Sequence, residues 1–254
     1  MAYKFLPGLE LNRRFYSEVV GPLIGKEFPK LKYAAGLIGN GSDVLGYDDE
    51  TSMDHNWGPH LIVILEKKNF DSYSKSLNAL FRRKLPAEFM GFPTNFTEEN
   101  KEHYLKQRML LKKKGPINHL IQFYTIETFF GYYIGTSPYK KLSIKDWLTI
   151  PEQALIEVTA GEVYHDDISL GKYRSKFEYY PEDIWRYLLY AQWRRLAHPL
   201  AFPARSGIRG DELGSRMMAN HVVEELVKML FIMRRKYQPY PKWRGEAFNK
   251  LEGS

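Results

Sequence analysis

Apolar side chains recur at helical spacing over residues 9–27, where Leu9, Phe15, Val19, Val20, Leu23 and Ile24 form one stripe that stops before Pro29. A helix is predicted there, with an internal Gly21-Pro22. The period then changes. Residues 33–39 are short, apolar and followed by Asn40-Gly41-Ser42, which predicts a buried strand ending in a tight turn. Residues 60–65, rich in β-branched side chains and bounded by Gly58-Pro59 and Glu66-Lys67-Lys68, predict a second strand. Residues 70–83 read as a helix with Tyr73, Leu77, Leu80 and Phe81 on one face. Residues 85–116 are broken by Pro86, Gly91, Pro93 and Gly115-Pro116 and carry a basic segment from Lys101 to Lys114; a connection of that length is usually functional or partly mobile. Residues 117–126 predict a third strand, and the pattern from Glu127 through Phe129, Phe130 and Tyr133 predicts a helix ending near Gly135.

From about residue 143 the pattern becomes helical. Ser143-Ile144-Lys145-Asp146 has the outline of a capping box, Pro151 and Pro181 each open a helix, and residues 212–236 carry the longest helical pattern, with a last short helix over 239–251. Residues 161–167 read as a short strand running into an acidic turn. The expected fold is α+β: a mixed sheet flanked by helices over residues 1–140, followed by a mainly α-helical domain over 141–254.

Composition narrows the classes. In 254 residues, 44% hydrophobic and 15% aromatic content supplies a sizeable core, which excludes disorder over most of the chain. The absence of cysteine excludes disulfide scaffolds, thiolate metal sites and cysteine nucleophiles, and fits a reducing cytoplasm. No stretch approaches 18 consecutive apolar residues and the N-terminus lacks an export signal, so a cytoplasmic protein without membrane contact is expected. The charge, 37 − 30 = +7, admits a polyanionic partner without demanding one.

The chemistry concentrates between Gly39 and Gly58. A strand delivering the chain into Gly41-Ser42, ahead of a short helix, exposes backbone N–H groups that can hold phosphate oxygens. Asp54 and Asn56 follow; spaced by two on an extended segment they would project from one face and could share a metal. With these residues the chain resembles the nucleotidyltransferase superfamily of the DNA polymerase β fold. More narrowly it resembles an uncharacterised bacterial and archaeal family of such proteins, through Gly46-Tyr47-Asp48-Asp49-Glu50, Asp54-His55-Asn56-Trp57-Gly58 and the blocks at residues 85–93, 179–185 and 237–243. The resemblance implies that Gly41 and Ser42 grip a nucleoside triphosphate and that Asp54 and Asn56 bind magnesium. The reaction implied is transfer of a nucleoside monophosphate to a hydroxyl of a small molecule or an RNA.

The pattern departs from that family in two places. Asn56 is an amide where a carboxylate is usual, and the third acid, expected on the strand at 117–126, has Gln122 as its nearest mimic, with Glu127 beyond the strand. A catalytically degenerate module that binds nucleotide, RNA or a protein partner is therefore the alternative, and oligomeric state is left open. Asp48, Asp49 and Glu50 read as a solvated acidic turn or a compensating charge, His55 as a hydrogen-bonded core residue, and His165 with Asp166 as a structural turn or a metal pair. Arg205, Arg209, Asp211 and Glu212 either face a cleft or cap a helix. Lys242, in the cluster Arg234, Arg235, Lys236, Lys242 and Arg244 interleaved with Tyr237, Tyr240 and Trp243, is a further nucleotide-binding candidate; the alternative is that the cluster closes the helical domain.

Overall fold

The structure is a computed structural model and describes residues 4–98, 106–112 and 114–252. The basic segment from Lys101 to Lys114 thus lies partly outside the described residues. The opening amphipathic stretch forms α1 (Gly8–Phe15) and α2 (Gly21–Glu27), joined by a π-helical turn over Tyr16–Val20. Pro22 explains the join: it offers no N–H to the preceding turn, and the wider turn absorbs the lost rung. The remaining elements of the first part are β1 (Tyr33–Leu37), α3 (Ser42–Leu45), β2 (His60–Leu65), α4 (Phe70–Lys84), β3 (Glu88–Phe89), β4 (Phe92–Pro93), β5 (Leu120–Thr125) and α5 (Ile126–Ile134). Then come α6 (Ile144–Thr149), α7 (Glu152–Thr159), β6 (Glu162–Asp166), α8 (Leu170–Arg174), α9 (Glu182–Ala197), α10 (Phe202–Ile208), α11 (Glu212–Met233) and α12 (Pro241–Glu252).

The protein is α+β, with a mixed four-stranded sheet in the order β5-β2-β1-β6. β1 runs antiparallel to β2 and β6, and β5 runs parallel to β2. Tyr33, Ala35, Leu61, Val63, Leu65 and Ile121 share one face, where Leu11, Phe15 and Ile24 from the opening helices and Leu77, Leu80 and Phe81 from α4 close the core. On the other face Tyr124 meets Phe129 of α5 at 6.0 Å between ring centroids. Both faces are covered, which is why β1 and β2 read as continuous apolar runs without alternation.

The chain divides into two compact units: residues 1–141 with 157–176, and residues 142–156 with 177–254. The strand at 162–166 belongs to the first unit, where it pairs with β1. In the second unit, Trp147, Phe177, Tyr179, Tyr180 and Tyr237 form an aromatic cluster with ring centroids 5.1–5.9 Å apart, and Tyr237 donates its hydroxyl hydrogen to the Phe177 carbonyl at 3.0 Å. Arg235 lies 4.0 Å over the Trp185 ring and Lys242 4.5 Å over Trp243. Arg235 and Lys242 therefore lie over aromatic faces of their own unit.

Candidate functional site

β1 ends at Leu37 and the chain turns through Gly39 (φ 100°) and Gly41 (φ 145°) into α3. Both turns require glycine. A Cβ at Gly39 would lie 2.3 Å from the Tyr133 hydroxyl oxygen of α5, and one at Gly41 would lie 2.3 Å from a carboxylate oxygen of Asp43. Burial beneath this turn pushes the Tyr133 phenol above the ordinary tyrosine range. Ser42 is half-buried, and its hydroxyl has no hydrogen-bond partner among the described residues.

Because β2 runs antiparallel to β1 and β5 parallel to β2, the end of β1, the start of β2 and the start of β5 lie at one end of the sheet. The Gly41-Ser42 turn, the 50–58 segment that leads into β2, and Gln122 therefore belong to the same edge. A buried polar network holds that edge together. The Asp43 carboxylate, 2% exposed, sits 2.6 Å from His60 Nε2. The Asn12 side chain donates to the Gly8 carbonyl at 2.9 Å and accepts from His60 N at 2.7 Å. Asp48 accepts from Gly8 N at 2.7 Å and from the Trp57 indole at 2.9 Å. Asn12, Asp43 and His60 escape a sequence reading: nothing local distinguishes them, and the signal lies in contacts 17 to 48 residues apart.

The segment bearing Asp54 and Asn56 is not extended. Residues Glu50–Asp54 form a 3₁₀ turn capped by Asp49, which accepts from Thr51 N and Ser52 N, and Asn56 has φ 48°. The alternation that would put Asp54 and Asn56 on one face, and His55 on the other, does not apply. His55 is accordingly not a core residue: its side chain is 34% exposed and its Nδ1 lies 2.6 Å from Asp54 Oδ1. Asn56 forms a two-point clamp with Gln107, whose carbonyl accepts from Asn56 N at 2.7 Å and whose N–H donates to Asn56 Oδ1 at 2.8 Å. Gln122 is exposed on β5 opposite Ile62, with Tyr124 Oη 3.5 Å from its side-chain carbonyl.

These donors do not fit a pair of magnesium ions. Asp54 is the single carboxylate among Asp54, Asn56 and Gln122, it already faces an imidazole, and the amide oxygen of Asn56 is engaged by a backbone N–H. Among the described residues, no group of three or more His, Cys, Asp or Glu side chains is arranged to hold a metal.

The other acidic candidates are structural in place. Asp166 accepts from Leu170 N and Gly171 N at 2.8 and 2.9 Å, fixing the start of α8. His165 stacks on Tyr33 at 4.2 Å and pairs with Asp167. Asp211 caps α11 through Gly214 N at 2.8 Å, and Glu212 pairs with Arg216. Lys242 is a residue of the second unit, and Arg205 and Arg209 lie in or beside α10.

The fold and this edge define an α+β protein with a strand-turn-helix bearing a glycine-serine turn. A sequence profile of a family described as a domain of unknown function, DUF4037, matches residues 147–244. A solved nucleotidyltransferase-like protein from Exiguobacterium sibiricum 255-15 is similar with 11% identity and a TM-score of 0.33 over 96% of this chain and 63% of that one. The chain thus spans less than two thirds of the length of that protein. No curated protein matches significantly. Among the described residues no helix is long and apolar enough to cross a membrane.

Proposed function

We propose that the protein binds the phosphates of a nucleotide at the Gly41-Ser42 turn, as a nucleotidyltransferase-like module that works without a two-metal centre. The observation that carries the reading is the Asn56–Gln107 clamp: the amide oxygen that stands where a carboxylate is usual is already a hydrogen-bond acceptor at 2.8 Å. Supporting the phosphate role are the two positive-φ glycines, which turn the backbone directly into α3, and the Ser42 hydroxyl, which has no hydrogen-bond partner among the described residues. The anionic ligand meets backbone N–H groups and that hydroxyl, and no step of chemistry is assigned to the site.

Titration calorimetry with ATP, in EDTA and then in excess magnesium, tests this. Equal affinity in the two buffers is expected, with Ser42→Ala weakening binding about tenfold through loss of one hydrogen bond to a charged group. Binding that demands magnesium, together with pyrophosphate release that disappears in Asp54→Ala, would overturn the reading in favour of a transferase acting on a small-molecule or RNA hydroxyl. A second arm uses Asn56→Asp. If magnesium raises the melting temperature of this variant no more than that of the parent, position 56 is no metal ligand.

A further inference from the structure

Beside the Gly41-Ser42 turn, the face of the sheet that meets α5 carries side chains that phosphate binding leaves unused. Gly39 lies over β2: a Cβ there would be 3.3 Å from Ile62 Cδ1 as well as 2.3 Å from the Tyr133 hydroxyl oxygen. Ile62 stands opposite Gln122 on the parallel neighbour β5, so Gln122 is one strand spacing, about 4.8 Å, from the residue beneath the turn. Gln122 and Tyr124, two apart on β5, share this face, where Tyr124 meets Phe129 of α5.

The aromatic members hold one another in place. Tyr132 packs edge-on to Tyr133 with ring centroids 4.9 Å apart, and its ring lies 6.1 Å from that of Tyr124, whose Oη is 3.5 Å from the Gln122 side-chain carbonyl. A continuous track of contacts thus runs from Gly39 through Tyr133, Tyr132 and Tyr124 to Gln122, all within the first unit. Tyr133 is half-buried beneath the turn, whereas Tyr132 leaves 70% of its surface to solvent. A ring held by two neighbours and open on its outer side loses little freedom when a planar group stacks on it. Gln122 is exposed as well. Its carbonyl keeps a second lone pair, and its amide N–H groups have no hydrogen-bond partner among the described residues.

We propose that Tyr132 and Gln122 take the base of the nucleotide whose phosphates the Gly41-Ser42 turn holds, and that they select adenine. The purine stacks on the open side of Tyr132 while Gln122 meets its edge: the amide carbonyl accepts from the exocyclic amino group and the amide N–H donates to N7. Guanine presents two acceptors along that same edge, so the Gln122 carbonyl would face another carbonyl. A pyrimidine offers Tyr132 a single ring and less area to stack. The inference rests on the phosphate reading of the turn. It makes Gln122, which stands where the nucleotidyltransferase resemblance looks for an acid, a reader of the base.

Titration calorimetry in EDTA with ATP, GTP, CTP and inorganic tripolyphosphate separates the base site from the phosphate site. ATP is expected to bind about tenfold more tightly than GTP, and more tightly than CTP or tripolyphosphate. Tyr132→Ala should weaken ATP binding about tenfold while leaving tripolyphosphate unchanged, and Tyr132→Phe should keep the parent affinity. Gln122→Glu, which exchanges the amide donor for an acceptor, should lower the ratio of ATP to GTP affinity about tenfold. Circular dichroism melts check that these exposed substitutions leave the fold intact. Equal affinity for ATP, GTP and CTP, alongside tripolyphosphate binding that requires Ser42, overturns the base site and leaves the phosphate reading standing. So does ATP affinity unchanged in folded Tyr132→Ala, or an ATP to GTP ratio unchanged in folded Gln122→Glu. Absence of binding by both ATP and tripolyphosphate removes the phosphate reading and the base site with it.

Discussion

His119 lies just ahead of β5 with its ring edge-on to Phe81 at 5.6 Å. Its Nδ1 accepts from Ile121 N at 3.2 Å, and its buried Nε2 has no hydrogen-bond partner of good geometry among the described residues, although the Asn78 backbone lies close enough to act on the ring. Burial pushes this imidazole down to about 4. In the unfolded chain the ring titrates near 6.5, so on acidification the unfolded state takes up the proton first. The stability contributed by neutral His119 is therefore complete above about pH 6.5 and falls as the pH drops towards 4, by about 3 kcal/mol in all. Urea unfolding at neutral and mildly acidic pH should show that dependence reduced in His119→Leu; the same loss in both proteins would refute the assignment. Asn56 is the second residue whose role is local. Asparagine tolerates its φ of 48° where alanine does not, so Asn56→Ala should cost about 1–2 kcal/mol through backbone strain and the lost clamp, whereas Asn56→Gly should cost less. The sequence marks Asn56 as a departure from a carboxylate pattern. It does not reveal the clamp, because Gln107 is 51 residues away.

Among the elements, those with strong local chemistry follow the sequence closely. Ser143 and Asp146 form the reciprocal cap that the pattern predicts at α6, Pro181 stands at the N-cap of α9, and Gly135 ends α5 in the left-handed conformation. The end of α7 is different, because its cap comes from a distant side chain. The Arg174 guanidinium donates to the carbonyls of Val158, Thr159 and Ala160 at 2.5–3.0 Å. Burial lowers it to about 10, which still leaves it charged at neutral pH. Arg174→Met keeps much of the apolar stem but leaves three carbonyls without their donor. A loss of about 2–4 kcal/mol in chemical denaturation is expected, against less than about 1 kcal/mol for exposed Arg186→Met. Equal small losses would show that water replaces the guanidinium.

For the whole molecule, the decisive event is the return of residues 157–176 to the first unit, which brings β6 alongside β1. β1 is buried at all five positions, and without β6 one of its edges would present unpaired N–H and C=O groups. A fragment of residues 1–141 should therefore aggregate or melt without cooperativity, although it contains every other strand of the sheet. Size-exclusion chromatography and a thermal melt check this, and a monomeric fragment with a sharp transition would contradict it.

Period, punctuation and capping chemistry are local properties, so the chain by itself determined where most helices and strands form, that the protein is α+β, and where the glycine-serine turn follows β1. Tertiary structure decided what those elements meet. Asp54 and Asn56 read as neighbours on one strand face because alternation is assumed wherever a strand is near. The Asp49 cap and the contact with residue 107 instead wind and pin that segment before β2 begins at His60. Asp43, an unremarkable residue of α3 just after the glycine-serine turn, is buried because His60 and Gly8 close over it. Pairings across 17 to more than 100 residues leave no period in the sequence, and the free energy that selects them comes from burying polar groups only where a distant partner satisfies them.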